Sequence, residues 1–380
     1  MNVLVTGANG FLGSAVVARV LSRPEARVRC LVRPGSDVSK LRPVIDRWGD
    51  RVEIVRGTLS NPADCLHALD GIAVVQHLAA ALRGAAADMF LNSVVATKNL
   101  LEAMVRTGRR PKLVHCSSFG VYGVADLPRG AVIDETTPPE PHPERRDLYS
   151  HSKHRQERLV WEYSERHALP VVVLRPGVIY GPGGGAISNR VGLELFGMFL
   201  KLGGRNPLPL TYVDNCAEAF ALAGDHPRAV GSVFNVVDDD PVTAAAFLRR
   251  YQREVRKLRV VSLPYPVLMA LSRAVSWYSE FSGGQLPAIF TPYKTATLWK
   301  GNRFDNSKLK GLGYEQPVST ERGLSLHFTA LRQQEHGAAN VAAEAPGRPK
   351  LQAIAGRSAP RRTSAAGGLR QVAPRRAAVR

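Results

Sequence analysis

Met1-Asn2-Val3-Leu4-Val5-Thr6-Gly7-Ala8-Asn9-Gly10-Phe11-Leu12-Gly13 decides the fold of this 380-residue chain. Its first six residues form a short apolar run rich in β-branched side chains, which reads as a buried strand. Gly7, Gly10 and Gly13 follow at once. Ala15-Val16-Val17-Ala18-Arg19-Val20-Leu21 then reads as a helix that stops before Pro24. Strand, glycine turn and helix form the local context of a dinucleotide fingerprint. Gly7 permits the sharp turn, Gly10 lets the backbone approach a pyrophosphate, and Gly13 lets the helix pack closely on the strand. The free N–H groups at the helix start carry a partial positive charge suited to phosphate. The alternative is an ordinary tight turn between strand and helix.

Outward from that turn, apolar strand-like runs alternate with helical patterns through residue 175, the signature of βαβ units and a parallel sheet. Strands are expected near 2–6, 27–32, 51–55, 72–77, 112–117 and 170–175, and long helices over Asp88 to Arg106 and Leu148 to His167. Right-handed crossovers put ligands at the carboxyl ends of such strands, where Gly7, His77, Ser118 and Arg175 fall. After Pro182 the pattern loosens. Gly183-Gly184-Gly185 reads as a flexible entry to a smaller lobe.

Tyr149-Ser150-His151-Ser152-Lys153 carries the chemistry. On a helix, a phenol and an ammonium four residues apart share one face. A free tyrosine has a pKa near ~10, and a nearby cation lowers it, so Tyr149 is expected to exchange a proton with a substrate hydroxyl. The second strand ends in Arg33. An acidic residue there suits a ribose 2′-hydroxyl, whereas an arginine suits a 2′-phosphate. NADP(H) is therefore the expected cofactor, with NAD(H) the alternative and a solvated loop arginine the plainer reading.

The glycine spacing together with Tyr149 and Lys153 resembles the extended branch of the short-chain dehydrogenase/reductase superfamily, the NAD(P)-dependent epimerase/dehydratase family. His77-Leu78-Ala79-Ala80, Ser117-Ser118-Phe119-Gly120-Val121-Tyr122-Gly123 and Arg175-Pro176-Gly177-Val178-Ile179-Tyr180-Gly181-Pro182 carry the resemblance further. Tyr212-Val213-Asp214-Asn215 and Leu312-Gly313-Tyr314 extend it, so that it covers the chain to about Arg332. The resemblance implies an α/β, Rossmann-type doubly wound parallel sheet with a smaller C-terminal substrate lobe. The nucleotide domain is expected over 1–182, with 211–237 returning to it, and the lobe over 183–210 and 238–332. It implies Ser118, Tyr149, Lys153 and Asn92 as catalytic residues, with Ser117 as the fallback for Ser118. Lys153 is expected both to tune Tyr149 and to hold the nicotinamide ribose. Cofactor contacts are expected from Gly7, Asn9, Gly10, Phe11, Leu12, Gly13, Arg33, Thr58, Leu59, Leu78, Ala79, Ala80, Tyr149, Lys153, Pro176 and Val178. Thr58 stands where related enzymes usually carry an aspartate for the adenine amine. A homodimer through the helices near Asp88–Arg106 and Leu148–His167 is also implied.

Composition narrows the remaining classes. The net charge is +19, of which residues 341–380 carry nine Lys/Arg against one Glu. That Ala/Arg/Pro/Gly-rich end has no hydrophobic period, so 333–380 is expected to be a disordered basic tail. It lacks aromatic residues for stacking bases, and no specific nucleic acid is expected as a partner. The basic run Arg249 to Arg259 reads as a solvated helix. Beyond it, Leu263 to Leu271, continuing to Trp277, Tyr278 and Phe281, reads as the lobe packing its own core. Peripheral contact with an anionic membrane surface is the alternative. The longest apolar stretch, Val260 to Ser272, is too short for a bilayer span. Cys30, Cys65, Cys116 and Cys216 are scattered without Cys-x-x-Cys, and no signal peptide precedes the first strand, which fits a cytoplasmic protein. His142, His151 and His154 lack zinc spacing and no metal is expected. No Gly-x-Ser-x-Gly elbow surrounds Ser117 or Ser118.

Two enzymatic readings of the substrate, a small molecule, compete. One is net redox chemistry on a hydroxyl or keto group, as on the 3β-hydroxysteroid dehydrogenase and dihydroflavonol reductase side of the branch. The other is a nucleotide-sugar epimerase or dehydratase that oxidises the sugar transiently. The second usually carries an arginine just before a Tyr-x-x-Val-Asp-Asp segment. Here Asn206 to Asn215 lacks it and Arg205 is displaced, which favours the first, as do Met269, Leu271, Trp277 and Phe281. A non-catalytic cofactor sensor is the third reading; retention of Ser118, Tyr149 and Lys153 argues for catalysis.

Overall fold

The computed structural model describes residues 1–195, 197–281 and 291–344. Met1–Gly337 forms one compact unit. The six strands expected from the apolar runs are β1 (Asn2–Thr6), β2 (Arg27–Val32), β3 (Val52–Arg56), β4 (Val74–His77), β5 (Lys112–Cys116) and β6 (Val171–Pro176). A seventh, β7 (Val233–Val236), joins them. The sheet order is β7-β6-β5-β4-β1-β2-β3, with every neighbouring pair parallel. Val171-Val172-Val173-Leu174-Arg175-Pro176 is buried along its whole length, as a parallel strand covered on both faces requires.

Helix α1 (Phe11–Leu21) and the later α4 (Val213–Asp225) share one face of the sheet. There Val16, Val20 and Phe220 pack with Val3 and Val5. On the other face α2 (Ala96–Arg106) and α3 (Leu148–His167) bring Leu100, Met104 and Val160 against Leu4 and Val75. The alternation of Val3, Leu4 and Val5 between the two cores is the two-residue period of a strand. The order reverses at β1, from whose end the chain runs to β2 on one side while β4 lies on the other. That is the topological switch point where doubly wound sheets bind nucleotides.

The helix expected over 88–106 is three pieces: Ala86–Phe90, a π turn at Leu91–Val95, then α2. The Ser93 carbonyl accepts from Gln156 Nε2 at 3.1 Å and from Thr97 Oγ1 at 2.7 Å. Those side chains occupy an acceptor that the regular ladder would use, which is a recognised cause of a bulge.

Beyond Pro182 a three-stranded sheet joins Val260–Ser262, Met198–Lys201 and Gly192–Leu195. Helices α5 (Ala244–Glu254), α6 (Tyr265–Phe281), α7 (Pro292–Trp299) and α8 (Thr320–Glu344) complete the described chain. Three expectations change here. The apolar helix α6 was expected to bury itself. Instead, among its described side chains only Leu268 and Ser272 are buried, while Val267, Leu271, Val275, Trp277, Tyr278 and Phe281 are exposed. The tail was expected from 333, but α8 continues to Glu344; residues 345–380 lie outside the described residues. Gly183-Gly184-Gly185 is not a bare hinge but part of a cavity wall. The basic run does form a solvated helix face, but only to Glu254, with Phe247, Leu248 and Tyr251 buried beneath it. All four cysteines are free and buried.

Candidate active site

One cavity of about 890 Å³ lies along the carboxyl ends of β1, β2, β3, β4 and β5. Its floor is the glycine turn. Gly7 adopts φ +71, and a Cβ there would sit 3.0 Å from the Ala79 nitrogen. A Cβ on Gly13 would fall 2.0 Å from the Gly7 carbonyl oxygen, so only glycine lets α1 start where it does. The α1 N-cap is Gly10, with no side-chain cap and no acidic residue in the first turn. Its leading N–H groups thus face the cavity uncapped, with the positive end of the helix dipole behind them. This is a phosphate cradle by construction, and it fits the pyrophosphate of a dinucleotide.

The end of that cavity at β2 and β3 is lined by Arg33, Gly57, Thr58, Leu59 and Ser60. Arg33 is exposed and opens a turn closed by Ser36 N–H on the Arg33 carbonyl at 3.1 Å, with Gly35 at φ +73. No ion pair engages Arg33 among the described residues. The Thr58 N–H donates to Asp64 Oδ2 at 2.8 Å. The aspartate missing from position 58 is thereby replaced nearby by one that serves the loop backbone. Asn9 also lines the cavity, and its amide donates to the Asp37 carbonyl at 2.9 Å.

Tyr149 and Lys153 enter from the far side on α3. Asp147 caps that helix, accepting the Ser150 N–H at 3.1 Å and the Ser150 hydroxyl at 3.0 Å. The cap fixes the first turn, and with it Tyr149. Lys153 is buried, and its ammonium donates to the Cys116 carbonyl at 2.7 Å. One turn on, Glu157 pairs with Arg175 (Nε to Oε2 3.1 Å) and accepts from the Ser117 hydroxyl. Two successive turns of α3 therefore hold two successive residues at the end of β5. The two serines differ: Ser117 is buried and spent on Glu157, whereas Ser118 is half-buried and accepts from Gly120 N–H at 3.1 Å, and neither is part of the cavity wall.

The electrostatics correct one expectation. Burial, followed by the neighbouring Cys116, pushes the Tyr149 phenol well above its ordinary value; the Ser118 hydrogen bond pulls the other way without offsetting it. Burial also lowers Lys153, against the opposing pull of Cys116 and Glu157. With its ammonium engaged by a carbonyl, Lys153 does not acidify the phenol here; desolvation wins. Tyr149 is thus held protonated, as a donor.

Asn92 stands on the π turn and lines the cavity, its Nδ2 donating to the Asp88 carbonyl at 2.8 Å. Leu78, Ala79, Ala80, Phe11 and Leu12 line it as well. Pro176 and Val178 do not; Gly177 between them does, with Ile179. Thr6, Ala81, Arg83, Cys116 and Gly183–Gly185 are wall residues that the sequence did not signal. Gly184 approaches so closely that a Cβ would meet the Phe11 ring at 2.9 Å, a contact only the assembled fold reveals. Met269, Leu271, Trp277 and Phe281 are absent from the wall. His77 is structural: its ring bonds Thr6 Oγ1 at 2.8 Å and Thr97 Oγ1 at 2.9 Å. The Tyr212–Asn215 and Tyr180 motifs are structural too, converging on Asp238, which accepts from Asn215 at 2.8 Å and from Tyr180 at 2.9 Å. Burial raises the Asp238 carboxyl to about 6. Among the described residues no group of three His, Cys, Asp or Glu is placed to hold a metal.

A parallel sheet with this strand order, an uncapped glycine-lined helix start and a Tyr/Lys pair in one cavity define a Rossmann-type dinucleotide-dependent enzyme. A model of the NAD dependent epimerase/dehydratase family matches residues 3–236, and the chain belongs to that family. It is 27% identical over 347 residues to a 3 beta-hydroxysteroid dehydrogenase/Delta 5-->4-isomerase of Mycobacterium tuberculosis, covering 85% of this chain and 88% of that one. It is 25% identical to a trifunctional UDP-glucose 4,6-dehydratase/UDP-4-keto-6-deoxy-D-glucose 3,5-epimerase/UDP-4-keto-L-rhamnose-reductase of Arabidopsis thaliana. That match covers 88% of this chain but only 56% of the plant protein's length. A UDP-glucuronic acid 4-epimerase of Bacillus cereus, crystallised with UDP-glucuronic acid and NAD, shares the fold with TM-score 0.65 and 22% identity. The superposition covers 88% of this chain and all of that one.

Proposed function

We propose that the chain is an NADP(H)-preferring oxidoreductase that moves a hydride between nicotinamide and a secondary alcohol or ketone on a small, largely apolar molecule. The observation that carries this is the shared cavity: the glycine cradle, Tyr149 and Lys153 line one space of about 890 Å³. The nicotinamide supplies the hydride chemistry when bound. The uncapped start of α1 binds pyrophosphate, and Arg33 faces the 2′-phosphate. Ser118 holds the substrate oxygen beside the Tyr149 hydroxyl. In the direction of carbonyl reduction, Tyr149 donates its proton to the oxygen as that oxygen gains charge. A phenol kept protonated by burial suits this direction. Lys153 holds the cofactor ribose, and the Cys116 carbonyl holds the lysine in place. Asn92, with its amide nitrogen committed to Asp88, offers its carbonyl oxygen to a relay water. The relatives that act on 3β-hydroxysteroids support the substrate class, as does the lack of an arginine on Asn206–Asn215.

The test is direct. NADPH and NADH binding are measured by titration, and ketosteroids, flavonoids and nucleotide sugars are screened for cofactor oxidation or epimer exchange. Tyr149→Phe is expected to bind cofactor normally and to lose turnover by at least ~100-fold, the scale of general acid–base catalysis. Near-normal turnover in that variant overturns the assignment. Arg33→Ala is expected to weaken NADPH about tenfold or more while leaving NADH unchanged, since a charged hydrogen bond contributes roughly 1.5–3 kcal/mol.

A nucleotide-sugar substrate is the second reading, and one observation favours it. Arg190 is half-buried in the lobe and has no acidic partner among the described residues. Burial pulls its guanidinium down to about 10, with Arg146 adding to the effect and Asp147 opposing it. Arg146 is already paired with Glu140, and neither arginine lines the cavity, so the support for a diphosphate is Arg190 alone. Epimer exchange without net cofactor oxidation selects this reading. A cytoplasmic setting accords with four unpaired cysteines, and a homodimer through α2 and α3 accords with the family; a monomeric mass in light scattering overturns the dimer.

A further inference from the structure

Helix α6 has a face with no partner among the described residues. At 100° per residue, the buried Leu268 and Ser272, with the half-buried Tyr265, Met269 and Ser276, occupy a narrow arc against the body of the lobe. Tyr265 meets the Trp299 ring of α7 there at 5.5 Å. The remaining arc, roughly half the circumference, carries Val267, Ala270, Leu271, Ala274, Val275, Trp277, Tyr278 and Phe281, all exposed. Leu271 is 49% exposed, Trp277 65% and Phe281 76%. Monomeric proteins rarely leave such a contiguous apolar surface to water without a use for it. The aromatic residues collect at one end, where Trp277 and Phe281 stack at 5.6 Å. Among the described side chains of that arc the one charge is Arg273, at its edge.

We propose that this face rests on an anionic lipid bilayer, with α6 lying in the plane of the interface. Aliphatic residues along the helix would enter the acyl boundary, and Trp277 and Tyr278 would sit at headgroup level, where amphipathic rings partition. Charge selects lipid over the other occupants. The chain carries +19, and in the segment leading into α6 Arg249, Lys257 and Arg259 have no acidic partner among the described residues, while Arg250, Arg253 and Arg256 pair with Glu254, Glu321, Glu194 and Glu335. A surface of that sign is drawn to acidic headgroups and repels a second copy of itself. No helix among the described residues is long and apolar enough to cross a membrane, so the contact is peripheral. The inference extends the apolar-substrate reading, because a substrate of that class is itself held in lipid, but it stands on the exposed face alone.

The experiment is sedimentation of the full chain with vesicles of phosphatidylcholine, with and without phosphatidylserine, at low and high salt. Wild type is compared with the double variant Trp277→Glu/Phe281→Glu, whose exposed sites leave the core untouched. Wild type is expected to sediment with the phosphatidylserine vesicles, and the double variant to lose at least tenfold in partitioning, while both bind NADPH equally. Binding that survives unchanged in the variant assigns the contact to basic segments elsewhere and overturns the proposal. So does absence of binding to either vesicle. So does a variant that changes only the oligomeric mass, which assigns the face to a second copy. Since NADPH binding and turnover are read separately in free solution, a wrong substrate class and a wrong docking face fail different measurements.

Discussion

Tyr149 shows how far a side chain's behaviour depends on where the fold puts it. Its spacing from Lys153 predicted an acidified phenol; the buried, carbonyl-bound lysine and the desolvated ring give the reverse. The ion pair behind it is a second case. Glu157 and Arg175 are both nearly inaccessible, and the guanidinium also stacks 4.5 Å over the Tyr122 ring. Removing one partner of a buried pair leaves the other charge stranded. Glu157→Gln is therefore expected to cost about 3–5 kcal/mol in chemical denaturation, and Glu157→Met with Arg175→Leu to cost less than the single change. His77 and His115 form a third case. Both are fully buried beside Lys153. Burial first, then Lys153, lowers His77 to about 3, and the same causes put His115 well below its ordinary range. Unfolded histidines take a proton near pH ~6.5, while the folded ones cannot. Their contribution to stability is complete above that pH and falls as pH drops from about 6.5 toward 3. A melting temperature that declines through pH 6 to 5, with a shallower decline in His115→Leu, is the expected record; parallel curves would remove His115 from the account.

At the scale of elements, the glycine turn was legible because its constraint is local. Backbone room at Gly7 and Gly13 follows from strand, turn and helix alone, and β1, α1 and α3 lie on the residues the patterns marked. Gly13→Ala is expected to cost roughly 1–3 kcal/mol of stability, the usual price of overpacking, and to abolish cofactor binding. Calorimetry showing normal affinity would mean that α1 can shift. Asp147→Ala should cost about 1 kcal/mol through its lost cap. What was not legible came from contacts distant in sequence. Gly184 meets Phe11, Cys116 meets Lys153, and the Ser93 carbonyl within the π turn at Leu91–Val95 accepts from Gln156 on another helix. Nothing near Asn92 in the sequence announces that contact. Helix α6 is the complementary lesson. Its apolar residues mark it as something to be covered, but periodicity does not say by what, so a core helix and a surface helix read alike.

At the scale of the molecule, the sheet and both helical layers meet in one compact unit spanning Met1–Gly337, so a ligand at the β1 switch point is expected to stabilise all of it together. Cofactor at a hundred times its dissociation constant should add about 2.7 kcal/mol. Tyr149→Phe should keep that thermal shift, whereas Gly13→Ala should lose it. The four sealed cysteines turn this into a chemical readout. Burial lifts Cys30 to about 12 and Cys65 to about 11, and raises Cys216 well beyond the ordinary range. None offers a thiolate to an alkylating reagent until the chain opens. Cys116 differs by its address, at the cavity wall. Burial raises the Cys116 thiol as well, so iodoacetamide labelling timed at each position would track opening of the chain at all four sites, with bound nucleotide adding cover at the fourth, from a single digest of the unaltered protein.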